Sequence, residues 1–160
     1  MKIAIIWAWA AGMMCAATLV ERGIPGSDIV LFEKNPKIGV KVAMTWGGRC
    51  NITTSITERK VLFPKYTRWA DFLRHPFEEF GPRKVYQWFE NNGLPLYTQD
   101  DLRVFPRSNK WDDVIELFES IFLKSKVQIK LGESVVSLKK ISQWFELVSD
   151  RHSYEFDRVV

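Results

Sequence analysis

Cysteine, histidine and glycine are all scarce in this chain. Cys15 and Cys50 are the only cysteines among 160 residues, and neither belongs to a CxxC pair. Two thiols cannot staple a fold of this size, so a reducing compartment, the cytoplasm, is expected and a metal site is disfavoured. His75 and His152 lie far apart without a second ligand at helical spacing, and read as surface or packing residues rather than catalytic bases. Charge of one sign never accumulates. Lys plus Arg at 23 against Asp plus Glu at 19 leaves a net +4 with no run of five like charges. That excludes a nucleic-acid-binding arm and leaves a weak attraction for anions. Glycine numbers nine, where its average share of about 7% would predict about eleven, and tryptophan numbers seven. Hydrophobic residues at 46% and charged residues at 26% are ordinary for a globular domain.

One long apolar stretch is present, residues 3–20, broken only by Gly12 and Thr18. Hydropathy alone would allow a membrane span or a signal peptide. Its composition changes partway, however. Ile3-Ala4-Ile5-Ile6 is branched and strand-like, whereas residues 13–20 are Ala-rich and favour a helix. Glu21-Arg22-Gly23 then reads as a helix end with a glycine cap, and Ile29-Val30-Leu31-Phe32 as a second buried strand. Strand, helix and strand within about thirty residues form a βαβ unit, so no membrane association is expected.

Residues 34–68 are expected to be loop-rich. Helices are predicted over 69–80, 82–92 and, capped by Ser108 or Asn109, up to about 124. A short hairpin around Asp100-Asp101 would join 94–99 to 102–105. Strands are predicted over 127–131, 135–139, 144–148 and 154–160, with Asp150-Arg151 as a turn. The chain stops inside an apolar strand, so it is expected to be the N-terminal part of a longer one. The fold class is α/β: a Rossmann-like domain with a βαβ start and three layers, incomplete at its C-terminus, carrying helical and β-meander insertions. Residues 1–160 are taken as one such partial domain.

A tight turn from a strand into a helix presents unpaired N–H groups at the positive end of the helix dipole, a natural pyrophosphate site. The dinucleotide fingerprint places glycine at three points of G-x-G-x-x-G. Here those points are Trp7, Trp9 and Gly12, so only the third is intact. Glu33 follows Gly12 by twenty-one residues at the end of the second strand, where a carboxylate accepts ribose hydroxyls. Lys34 and Lys41 are candidates to neutralise phosphate, although solvated lysines are the default. Cys15 reads as a small core residue. Cys50 reads as a loop thiol before a redox one.

Several motifs together carry a family resemblance. They are Ile5-Ile6 into Ala10-Ala11-Gly12, Phe32-Glu33-Lys34-Asn35-Pro36, and Thr45-Trp46-Gly47-Gly48-Arg49-Cys50-Asn51. Further along come Gly93-Leu94-Pro95-Leu96 and Arg103-Val104-Phe105-Pro106 with Ser108-Asn109-Lys110. The sequence resembles, along essentially its whole length, the BaiN-like bacterial NAD(P)/FAD-dependent oxidoreductases, flavoproteins with a glutathione-reductase-type FAD domain. The resemblance implies FAD as cofactor, NAD(P)H as electron donor and a small organic molecule as substrate; the charge pattern adds the expectation of no nucleic acid partner. It implies that Glu33 holds the adenosine ribose, that Ala8, Ala10, Ala11 and Gly12 surround the pyrophosphate, and that Val135 offers backbone contacts to adenine. Thr45, Gly47, Gly48, Arg49, Cys50 and Asn51 would run beside the flavin end. No side chain here is a convincing acid or base, so no catalytic residue is assigned.

The family pattern has glycine where this chain has Trp7, Trp9 and Trp46, and a small residue at Trp111. A left-handed turn position costs a non-glycine residue about 1–2 kcal/mol, and an indole would fill the space through which a phosphate approaches. Two readings stay open. Either the cofactor is displaced, leaving a cofactor-less Rossmann-like scaffold or interaction module, or these positions are not tryptophan in the natural protein.

Overall fold

The computed structural model describes residues 1–44 and 46–160. In chain order the elements are β1 (Ile3–Ile6), α1 (Ala10–Glu21), β2 (Ile29–Glu33), α2 (Val40–Ala43), β3 (Thr53–Thr54) and α3 (Arg59–Leu62). They continue with α4 (Ala70–Phe80), α5 (Pro82–Asn91), β4 (Leu96–Thr98), β5 (Arg103–Pro106) and α6 (Trp111–Ser125). β6 (Gln128–Leu131), β7 (Val135–Ile141), β8 (Trp144–Ser149), β9 (Ser153–Phe156) and β10 (Arg158–Val159) complete the chain. Two compact units result: Met1–Met44 with Phe118–Val160, and Thr45–Leu117.

The first unit is built on a four-stranded parallel sheet in the order β10-β1-β2-β6. Strand alternation sends Ala4, Val30 and Phe32 to one face, where they meet Leu147 and Phe156 of the antiparallel sheet β7-β8-β9. α1 packs against β1 and β2, placing a helix, a parallel sheet and a meander in three layers. Phe32, Leu31, Ile29 and Ile5 are almost wholly buried. Each such side chain contributes about 1.5–3 kcal/mol by leaving water, which is why continuous apolar strands, rather than alternating ones, serve here. The chain leaves α1 through Gly23, whose φ of +85° lets its N–H reach the Val20 carbonyl.

Residues 3–20 are thus a strand, a turn and a helix, and none of the described helices is long and apolar enough to cross a membrane. The first helix begins at Ala10, earlier than its Ala-rich segment suggested. The predicted strand over 154–160 is two strands in two sheets. Lys2 donates its N–H to the Asp157 carboxylate at 2.6 Å, and the Lys2 carbonyl accepts from Asp157 and Arg158. Asp157 therefore ends the meander, and β10 crosses to lie parallel to β1.

The second unit holds α3, α4 and α5 and a small antiparallel sheet ordered β3-β5-β4. The expected hairpin is β4–β5, closed by Gln99 N–H on the Arg103 carbonyl at 2.8 Å. β3, α2 and α3 are short elements inside the region expected to be loop. α6 starts at Trp111, after Asn109 at φ +58°.

Candidate functional site

The turn from β1 into α1 is pinned at both sides. Trp7 donates its N–H to the Phe32 carbonyl at 2.8 Å, and Ala8 donates to Glu33 Oε2 at 3.1 Å. Gly39 N–H returns to the Ala8 carbonyl at 2.9 Å. A Cβ on Gly12 would overlap the Trp7 carbonyl oxygen, so the third fingerprint glycine is sterically required. Ala10 and Ala11 are exposed in the first turn of α1, where backbone N–H groups lack intrahelical partners.

Glu33 is fully buried and aimed at this turn. Its Oε1 accepts from the Asn35 backbone at 3.0 Å and from the Asn35 side chain at 2.6 Å. A carboxylate has about four lone-pair sites, so these three donors leave capacity for a hydroxyl.

Trp7 and Trp9 change what the turn presents. Their rings stack with centroids 5.1 Å apart and 14° between planes. Lys41 Nζ lies 4.0 Å from the Trp9 ring centroid, so its charge rests on an aromatic face. A groove of about 610 Å³ is lined by Ile5, Trp7, Ala11, Gly12, Val135 and Val160 among others. A smaller cleft of about 220 Å³ is lined by Ile6, Trp7, Phe32, Lys34, Glu133 and Val135. Trp7 is a wall of both.

Glu133 lines the smaller cleft, and spacing did not reveal it. It is buried in the turn after β6, and its Oε1 accepts from Ser149 Oγ at 2.6 Å and the Tyr154 hydroxyl at 2.7 Å. Burial alone would raise its pKa, but these two donors hold the carboxyl below its ordinary value. The same partnership, with burial as the larger cause, pushes the Tyr154 hydroxyl up to about 12. The signal available in sequence was Gly132, whose φ of +61° opens the turn.

Of the other candidates, Thr45 lies outside the described residues. Gly47 and Gly48 adopt φ of +61° and +89°, as a glycine turn requires. The Arg49 guanidinium sits 4.7 Å from the Phe105 ring centroid. Cys50 is 7% exposed, and burial pushes its thiol up to about 11. That favours the unreactive thiol form. With its side-chain amide oriented to satisfy its neighbours, Asn51 donates to the Thr53 carbonyl at 3.0 Å. These residues belong to the second unit; Ala8, Ala10, Ala11, Gly12, Glu33, Lys34, Lys41 and Val135 belong to the first.

A sequence model of the family described as "HI0933-like protein Rossmann domain" matches residues 1–160. The chain belongs to this family. It is 28% identical over 159 residues to a 3-dehydro-bile acid delta(4,6)-reductase of Clostridium scindens, covering 99% of this chain and 38% of the relative. It is 26% identical over 148 residues to a ribosomal RNA dihydrouridine synthase of Escherichia coli, covering 89% of this chain and 34% of the relative. The chain therefore spans little more than a third of these relatives. Among solved structures, THI4 of Thermovibrio ammonificans superposes with a TM-score of 0.60 at 10% identity, covering 99% of this chain and 55% of that one. The bacillithiol disulfide reductase of Staphylococcus aureus gives 0.52 at 12%, covering 99% and 36%. At such identities the superpositions establish the fold. Both the family resemblance read from the motifs and the α/β Rossmann class agree with these matches.

Proposed function

We propose that this chain is the nucleotide-binding part of an FAD-dependent oxidoreductase that moves a hydride between NAD(P)H and a small organic molecule. The observation that carries the reading is the buried Glu33 carboxylate held against the Ala8 amide at the start of α1. In a Rossmann domain this juxtaposes a ribose acceptor and a phosphate-binding helix end. Glu33 would take the adenosine ribose, and the amides of Ala10, Ala11 and Gly12 the pyrophosphate. Val135 would flank adenine, while Lys34 would add positive charge beside the cleft. Residues 45 and 47–51 would serve the flavin end. The flavin supplies the redox chemistry when bound.

The ribose end fits such a cofactor and the phosphate end does not. Two stacked indoles occupy the approach to the helix start, and Lys41 is drawn onto one of them. That misfit favours the rival reading, a cofactor-less scaffold. The test is the visible spectrum of the full-length protein after gel filtration with FAD, with tryptophan and with glycine at positions 7 and 9. A flavin band in the glycine form, with NADH or NADPH oxidation, is the expected result. Its absence from that form would leave the scaffold. The relative named as a ribosomal RNA dihydrouridine synthase favours a second substrate class, a base in RNA. Turnover on ribosomal RNA, without turnover on small acceptors, would select it.

A further inference from the structure

We infer that positions 7 and 9 are glycine positions whose codons the natural host reads as glycine, and that tryptophan there is what another codon table inserts. At position 7 the inference starts from the backbone. Its φ is +79°, a conformation glycine takes freely and a bulky residue takes only under strain. Relaxation is blocked, because the Trp7 N–H is held by Phe32 and its carbonyl lies against Gly12. The indole offsets this only through its stack on Trp9, worth about 0.5–1.5 kcal/mol. A tryptophan ordinarily buries a large area in a core or an interface, yet Trp7 is 52% exposed and packs on another tryptophan.

Position 9 has φ −88° and ψ −179°, which any residue adopts. Its case rests on the dinucleotide reading, in which the second glycine lets a phosphate approach the backbone. The cavities agree. Trp7 lines both the groove beside Gly12 and the cleft beside Glu133, together with Ile6 and Val135, so a hydrogen in its place would enlarge both. Composition agrees too. Moving two residues from seven tryptophans to nine glycines gives five and eleven, and eleven is about what glycine's ordinary share predicts.

The test is direct. Trypsin cuts after Lys2 and Arg22, releasing residues 3–22 with both positions in one peptide. Tandem mass spectrometry of that peptide, from protein isolated from its natural host, should read glycine at 7 and 9. The peptide should be lighter than one made in a host that reads the same codons as tryptophan. Tryptophan at either position in the natural protein overturns the inference. The readout needs neither a fold nor a flavin, so it succeeds or fails separately from the cofactor assignment.

Discussion

Replacing Trp7 and Trp9, one at a time, by glycine and by alanine should give different gaps at the two sites. At position 7 the φ of +79° penalises any side chain by about 1–2 kcal/mol. Glycine avoids that penalty but loses roughly 0.5–1 kcal/mol of extra chain entropy on folding. Both replacements forfeit the same stack with Trp9, so that loss cancels between them. Trp7→Gly should therefore be more stable than Trp7→Ala by about 1 kcal/mol. At position 9, the cap of α1, the backbone is extended. Glycine is the better cap by several tenths of a kcal/mol, chain entropy included. The gap there should be smaller than at position 7. Urea unfolding of the four variants, followed by circular dichroism, measures both gaps. An alanine variant as stable as the glycine variant at position 7 would refute the claim that backbone conformation dictates that residue.

Further outcomes follow at four particular positions. Gly26→Ala should cost about 1–3 kcal/mol because the new Cβ would overlap the Ser125 carbonyl. Gly23→Ala, with no atom within 4 Å but φ of +85°, should cost only about 1–2 kcal/mol; thermal unfolding ranks them. Cys50, pushed up to about 11 by burial, should resist alkylation at pH 8. Its folded pKa lies above that of an unfolded thiol, so the stability it confers is whole below about pH 9 and is lost as pH rises towards 11, by at most about 3 kcal/mol. Cys50→Ala should flatten that alkaline loss. Tyr154→Phe removes a donor from buried Glu133 and should cost about 1 kcal/mol, since Ser149 still donates. The stability owed to Glu133 is whole above its ordinary pKa of about 4.3 and is lost as pH falls through the depressed value, so this variant should lose less on acidification.

Local chemistry made much of the fold legible. Branched runs flanking an Ala-rich stretch located β1, α1 and β2, and Gly23 marked a helix end whose hydrogen bonds are present. Two aspartates at 100–101 located the β4–β5 hairpin. What stayed hidden depends on partners distant in sequence. Residues 154–160 read as one strand because alternation continues through them. The break at Asp157 comes from Lys2, at the other end of the chain. Likewise β3 is two threonines, a strand only because Val104 and Arg103 lie opposite them.

The site shows the same division more sharply. Glu33 was visible through its spacing from Gly12, which the lengths of α1, its connection and β2 set. Glu133 was not, because its role needs Ser149 and Tyr154 brought to it by the meander. Trp7 and Trp9 were visible as departures from a pattern, but a pattern cannot say which departure the backbone tolerates. The register of β1 against β2 places residue 7 beside Phe32, and the close approach of α1 places Gly12 beneath its carbonyl. These constraints come from main-chain hydrogen bonds and helix packing, so they act whatever side chain position 7 carries. The turn therefore keeps a glycine's conformation around a tryptophan.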